Sequence, residues 1–181
     1  YGINLSGAVN TEVSGNVISN NMRSISLQVS AHNNKITDNI LTDSLSSGVH
    51  IAYSSNDNVV SGNTIQTSKA GGQGLLQAYT GSTGNQFLNN TLDVVGEARP
   101  KWLLYLGPDS SNTVFNGNII SGAADRAVVG VESVWDATKT ATAQMYTYAI
   151  HENRTALTGF GHGDLSNVEI KNNIFAPNLA K

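Results

Sequence analysis

The sequence has no cysteine, and it is poor in proline and in charge. Only three of its 181 residues are proline and 13% are charged, about half the ~25% that is usual for globular proteins. Without cysteine there are no disulfide bonds and no thiolate chemistry. A net charge of −3 gives no general attraction to nucleic acid, so we expect no nucleic-acid partner. No apolar run approaches the ~20 residues of a membrane-spanning helix, so we expect no membrane insertion.

A short repeated pattern is what the sequence has in abundance. A β-branched or aromatic residue is followed three positions later by an asparagine, and then by two mostly apolar residues. The asparagines of the six matches are Asn16, Asn39, Asn63, Asn90, Asn118 and Asn173. The first five follow one another at steps of 23 to 28 residues, and a repeat of this length is typical of a solenoid. The last step, of 55 residues, predicts two coils, one of them irregular.

A second run of alternating residues lies between these matches. Its members are Ile3–Leu5, Ile25–Leu27, Val49–Ile51, Leu76–Ala78, Leu104–Leu106 and Val129–Val131. Apolar residues two apart, with a polar or variable one between them, indicate half-buried strands. Strands repeated in step predict coils stacked ~4.8 Å apart.

The predicted fold is therefore all-β: a right-handed parallel β-helix solenoid of about six to seven coils. We expect a single domain over residues 1–181, with an inserted loop near residues 133–147. Because the alternation is under way at Tyr1, we interpret the chain as a fragment of a longer helix. The pattern also predicts that Asn39, Asn63 and Asn90 stack inward at one corner. Beside them, one buried apolar column is expected from Ile36, Val60, Phe87 and Phe115.

With these coils, the chain resembles the right-handed parallel β-helix (pectin-lyase-like) superfamily. That superfamily includes pectate lyases, alginate lyases, mannuronan C5-epimerases, NosD-like copper-delivery proteins and phage tailspikes. The segments 117–124 and 148–153 look like the later coils of mannuronan C5-epimerase catalytic modules, although the Asp-Pro-His-type catalytic segment of that family has no counterpart here. The resemblance implies an extracellular or cell-surface protein that acts on an alginate-like acidic polysaccharide.

The side chains that point away from the core would have to carry the function. On the alternating run these are Asn4, Ser26, His50, Gln77, Tyr105 and Gly130. Polyuronate lyases and epimerases share a first step, in which a base removes the C5 proton while a donor or cation stabilises the carboxylate. The candidate catalytic residues are His50 and Tyr53, and the candidate substrate-binding residues are Tyr79, Arg99, Lys101 and Tyr105. Each also has a structural explanation as a solvated strand or loop residue.

Other site types find little support in the sequence. The four histidines show no zinc spacing, and the glycine-rich segment 159–164 lacks the lysine of a phosphate loop. We therefore expect no metal and no cofactor. A second polar cluster is interpreted as a salt-bridge network; it comprises Glu132, Asp136, His151, Glu152 and Arg154.

Three functions remain open at this stage, and the oligomeric state is not determined by the sequence. The first is a polysaccharide-modifying module of the C5-epimerase or lyase class, acting on an alginate-like polyuronate. The second is a non-catalytic glycan-binding or adhesive β-helix, such as a phage tailspike or a surface protein. A NosD-like periplasmic protein ranks last, because clusters of metal ligands are missing.

Overall fold

The computed structural model describes residues 1–69, 72, 74–134, 145–150 and 167–176. All regular secondary structure in these ranges is β-strand, arranged in three sheets that each turn of the chain visits in order. Neighbouring strands are parallel throughout, with one exception described below. The prediction of an all-β parallel solenoid is confirmed.

The sheets contain seven, six and six strands. The first consists of β1 (Ile3–Ser6), β4 (Arg23–Gln28), β7 (Ser47–Ile51), β10 (Leu76–Ala78), β13 (Trp102–Leu106), β16 (Ala127–Val134) and β17 (Met145–Ile150). The second consists of β2 (Glu12–Ser14), β5 (Lys35–Thr37), β8 (Val59–Ser61), β11 (Gln86–Leu88), β14 (Val114–Asn116) and β18 (Glu169–Lys171). The third consists of β3 (Val17–Ser19), β6 (Ile40–Thr42), β9 (Thr64–Thr67), β12 (Thr91–Val94), β15 (Ile119–Ser121) and β19 (Ile174–Phe175).

The interior of the coils is a continuous apolar core to which all three sheets contribute. The predicted column Ile36, Val60, Phe87 and Phe115 is fully buried. Its members occupy paired positions on successive strands. The rings of Phe87 and Phe115 stack with centroids 4.9 Å apart and an interplanar angle of 14°. The prediction of this column is confirmed.

Two asparagine ladders, one on each side of the second sheet, satisfy the backbone at the corners. In the predicted ladder, Nδ2 of Asn39 donates to Oδ1 of Asn63 at 2.9 Å, and Nδ2 of Asn63 donates to Oδ1 of Asn90 at 3.0 Å. The second ladder joins Asn34, Asn58 and Asn85 in the same way. All of these side chains are fully buried, which pairs polar groups that would otherwise be desolvated without a partner.

The long step in the asparagine repeat has a different explanation from the predicted one. Nδ2 of Asn118 donates directly to Oδ1 of Asn173 at 2.8 Å, so the two asparagines lie on adjacent coils. The prediction of two coils between them is wrong, because the extra residues are an insertion within one coil. The backbone of β16 pairs with that of β17 in antiparallel register, so strands form both ends of the segment where a loop was expected. Residues 135–144 of that segment lie outside the described ranges.

None of the described residues forms a helix of the length and hydropathy needed to cross a membrane.

Candidate functional site

The outward-pointing residues of the first sheet form one aligned row, here called the outer column. Its members are Asn4, Ser26, His50, Gln77, Tyr105 and Gly130, each paired in register with the next. The predicted alignment is confirmed, but the expected solvent exposure is not. Ser26 and His50 are fully buried, and Gln77 and Tyr105 are nearly so. The side chains around the row, including Arg23 and Tyr79, cover its centre.

His50 is held by hydrogen bonds at both ring nitrogens. Nδ1 lies 3.0 Å from Oγ of Ser26 on the preceding coil, and Nε2 lies 2.8 Å from the hydroxyl of Tyr79 on the following coil. The rings of His50 and Tyr79 meet edge to face, with centroids 5.2 Å apart. Because a neutral imidazole carries one N–H, one contact is donated by His50 and the other is accepted.

Burial and one nearby cation keep His50 uncharged. Burial lowers the pKa of His50 to about 3, and the positive charge of Arg23 acts in the same direction. Burial also raises the pKa of the Tyr79 hydroxyl. At neutral pH the pair is therefore a neutral imidazole bonded to a protonated phenol, a proton donor and acceptor already in contact.

Small neighbours give Tyr79 room to reach His50. Tyr79 lies one position beyond the paired residues of β10, between Ala52 on the preceding coil and Gly107 on the following one. A Cβ atom at Gly107 would overlap Cβ of Tyr79. Glycine is therefore needed for the close approach that fixes this tyrosine.

A cavity of about 160 Å³ opens beside the histidine–tyrosine pair. Its lining residues are Arg23, Ser46, Gln77, Tyr79 and Tyr105. Nη1 of Arg23 donates to the hydroxyl of Tyr1 at 3.3 Å, whereas its buried Nε has no hydrogen-bond partner among the residues that the structure describes. The wall of the cavity thus contains the guanidinium group of Arg23, which favours an anionic ligand.

The structure brings some of the sequence-predicted site residues together and separates others. His50, Tyr79 and Tyr105 belong to one cluster, with the rings of the two tyrosines 6.1 Å apart. Tyr53 lies in the turn after β7, with its side chain 50% exposed, and does not line the cavity.

The two predicted basic residues also lie outside the cavity lining. Arg99 is exposed and bonds the carbonyl of Ala98 at 2.7 Å. Lys101 lies over the ring of Trp102. The predicted salt-bridge network falls outside the described residues, apart from the backbone of Glu132.

Arg23 and Ser46 were not predicted as site residues, and Ser26 and Gln77 were predicted only as members of the outer column. One signal was available for Arg23, since it is the only arginine before Arg99 in a chain with little charge. No comparable signal identifies Ser46, which precedes β7 and is one of many turn serines.

A comparison with protein families gives a match over a large part of the chain. The model of the family described as "Periplasmic copper-binding protein (NosD)" matches residues 1–118 of the 181. The chain belongs to the NosD family. This is the family that the sequence-based ranking placed last. Comparison with curated proteins and with solved structures finds no match. The family's periplasmic description agrees, at a coarse level, with the expected extracellular or cell-surface location.

The copper named in the family description does not fit the described residues of this NosD-family chain. No three His, Cys, Asp or Glu side chains in those ranges are grouped so that they could hold a metal ion. His50 uses both ring nitrogens in hydrogen bonds, and Nδ1 of His32 accepts the backbone N–H of Asn56. A copper ion at any of these three nitrogens would have to displace a hydrogen bond already formed.

Proposed function

We propose that the cavity binds one uronate unit of an acidic polysaccharide, and that the chain modifies the polymer as an epimerase or lyase acting on an alginate-like polyuronate. The observation that carries the proposal is Arg23, which lines the cavity together with Tyr79 and whose buried Nε has no hydrogen-bond partner among the described residues. In a secreted or cell-surface protein such a polymer is an accessible partner.

The cavity has the size and chemistry for a single acidic sugar. Its volume of about 160 Å³ is below the ~300–1,000 Å³ of pockets for drug-sized ligands. The guanidinium of Arg23 pairs with the sugar carboxylate, ideally through two parallel hydrogen bonds. Gln77 and Ser46 supply donors and acceptors for sugar hydroxyls, and Tyr105 supplies an apolar ring face.

In the proposed reaction, Tyr79 is the group that meets the C5 proton. Its hydroxyl gives its proton to Nε2 of His50 in the same step in which its oxygen takes the C5 proton, because the raised pKa of Tyr79 and the lowered pKa of His50 disfavour a free phenolate. Arg23 stabilises the negative charge that develops on the sugar carboxylate. In an epimerase, a water molecule on the opposite face then gives a proton to C5, and the hydroxide that remains is neutralised by the proton held by the histidine–tyrosine pair. In a lyase the C4–O bond breaks, and the leaving oxygen takes the proton held by the pair.

The bound carboxylate helps this proton transfer. Burial is the larger cause of the lowered pKa of His50, and the charge of Arg23 is the second cause. A carboxylate bound to Arg23 offsets this second cause. His50 is then a better proton acceptor for Tyr79. Ser26 bonds the other ring nitrogen and so orients the imidazole.

A second function, glycan binding without turnover, is favoured by one specific observation. His50 is fully enclosed, so no substrate atom reaches it directly. A site built only to bind would need Arg23, Gln77 and Tyr79 in the same places, with His50 as a buried support for the tyrosine.

Incubation of the protein with polymannuronate, alginate and pectate tests the proposal. Ultraviolet absorbance detects the conjugated uronate of a lyase product, and proton NMR in D₂O detects exchange at C5 and epimerisation. We expect Tyr79→Phe to lose turnover while retaining binding, and Arg23→Ala to lose both. Lys35→Ala removes a positive charge from the exposed part of the second sheet and serves as the charge-matched control.

The outcomes separate the two functions. Binding without turnover in the parent protein establishes the non-catalytic function, and no binding of any polyuronate rejects the site. The Tyr53→Phe variant distinguishes the two tyrosine candidates. An inactive Tyr53→Phe beside an active Tyr79→Phe would transfer the chemistry to Tyr53.

A further inference from the structure

Two cations are held over one indole ring at the far end of the outer column. Nζ of Lys101 lies 5.8 Å and Cζ of Arg126 lies 5.9 Å from the ring centre of Trp102. The backbone N–H of Arg126 donates to the carbonyl of Lys101 at 3.2 Å, which keeps the two loops together. Both side chains are cations, so an anion that contacts the two of them is attracted to both.

Trp102 connects these cations to the face that contains the cavity. Its ring packs where Gly130, the last member of the outer column, has no side chain, and a Cβ there would overlap the indole. Trp102 and Tyr105 form one buried cluster, with Tyr79 packed against it. Arg23 and Tyr105 lie on strands of the first sheet, and Lys101 and Arg126 directly precede its strands β13 and β16, so these residues lie along one sheet.

The strand order gives the distance between the two cationic ends. Arg23 is in β4 and Trp102 is in β13, which are separated by β7 and β10. Three strand steps of ~4.8 Å place Arg23 and Trp102 ~14 Å apart along the coil axis. One more step reaches β16, which Arg126 directly precedes, at ~19 Å from Arg23. A pyranose unit in an extended 1,4-linked chain advances by roughly one strand spacing.

We infer that an acidic polysaccharide lies parallel to the coil axis, with one carboxylate on Arg23 in the cavity and another, three to four sugar units further on, at a second anionic subsite formed by Lys101 and Arg126. This inference rests on the proposed function of the cavity. A polymer lying along the strands, across the coil axis, would meet Arg23 but not the second subsite. Length dependence of binding therefore distinguishes the two orientations.

The test is calorimetric titration with oligomannuronates of increasing length, from the disaccharide upward. For the parent protein we expect affinity to rise by about tenfold as the oligomer reaches about five units, and then to level off. The Lys101→Gln/Arg126→Gln variant keeps side chains of similar length over Trp102. It should bind the disaccharide with the same affinity as the parent. Its affinity should not rise with oligomer length, and its binding of long oligomers should depend less on salt concentration.

Single variants supply matched controls, with circular dichroism to confirm folding. Arg126→Gln should reduce the gain with length, whereas Lys35→Gln, with the same charge change on the second sheet, should leave it intact. Arg23→Gln should weaken the disaccharide and the longer oligomers alike.

Each result supports or overturns the inference. Equal affinity for all lengths in the parent, or a full gain with length in the double variant, overturns the second subsite while the cavity remains supported by disaccharide binding. Loss of disaccharide binding in Arg23→Gln, together with the expected length effect, supports both sites. If no oligomannuronate binds, the cavity and the second subsite are rejected together.

Discussion

Nε2 of His50 lies 2.8 Å from the hydroxyl of Tyr79, a residue one coil further along the solenoid. The opposite nitrogen bonds Ser26, one coil back, so three successive coils fix one imidazole. Because the ring is fully buried and Tyr79 lines the cavity, His50 can act on a ligand there through Tyr79.

The buried histidine predicts a specific pH dependence of stability. The pKa of His50 falls from 6.5 to about 3 on folding, so between these values the unfolded chain binds a proton that the folded chain does not. The free energy of unfolding should therefore fall as the pH is lowered from 6.5 toward 3, by at most ~1.4 kcal/mol per unit. Well above pH 6.5 His50 is uncharged in both the folded and the unfolded chain, so it adds no pH dependence to the free energy of unfolding.

Urea denaturation of the parent and of His50→Gln, from pH 7.5 to pH 4, measures this slope. Gln carries no titrating group, so we expect a shallower slope for the variant, whatever its stability at pH 7. Asp43, whose pKa is lowered by hydrogen bonds from Ser68, reduces the free energy of unfolding at acid pH by the same amount in both proteins. Parallel curves would show that His50 is protonated equally in the folded and unfolded chains.

The asparagine ladder should contribute strongly to stability at its centre. Oδ1 of Asn63 accepts from the backbone N–H and from Nδ2 of Asn39, and its own Nδ2 donates to Asn90. Asn63→Leu leaves these buried groups unpaired, so we expect a loss of about 1–3 kcal/mol in the free energy of unfolding. Asn16→Leu, at the half-exposed end of the ladder, should cost less. Equal costs at both positions in urea denaturation would contradict the role assigned to the ladder.

The stacked phenylalanines predict a large cost for truncation in the core. Phe87→Ala removes a fully buried ring that stacks on Phe115, so we expect a loss of about 3–5 kcal/mol from transfer and cavity terms. Val17→Ala, at a strand position that is 76% exposed, should change stability by less than ~0.5 kcal/mol. The measurement is again the urea midpoint, and a cost below ~1 kcal/mol for Phe87→Ala would show that the core collapses around the gap.

The sequence allowed the coil register to be predicted because one residue type recurs at one corner. The steps between Asn39, Asn63 and Asn90 were enough to align the core and the outer column. The second ladder repeats the same steps at Asn34, Asn58 and Asn85 and could have been found in the same way. The step from Asn118 to Asn173 was misinterpreted because an inserted hairpin and an extra coil both increase the number of residues between two asparagines, and the sequence spacing does not distinguish them.

The candidate site was only partly predictable for a physical reason. Alternation along a strand determines which side chains point outward, but it does not tell whether another side chain covers them. His50 was therefore expected to be exposed, whereas Tyr79 and neighbouring residues bury it. Arg23 belongs to a strand two coils away from Tyr79, and only the stacking of the coils places both on one cavity.

Copper provides the last prediction, because the family description names it and the described residues do not suit it. A copper ion on His50 would have to displace Ser26 or Tyr79 from a ring nitrogen and place its charge near Arg23. We therefore expect His50→Gln to bind copper with the same affinity and stoichiometry as the parent, measured by competition with a chromophoric chelator. Loss of a copper equivalent in His50→Gln would show that the ion opens the histidine–tyrosine pair, and the cavity would then have to be reinterpreted as a metal site. The matched variant Tyr79→Phe, which frees one imidazole nitrogen from its hydroxyl partner, should gain copper affinity only if that hydrogen bond is what keeps the ion out.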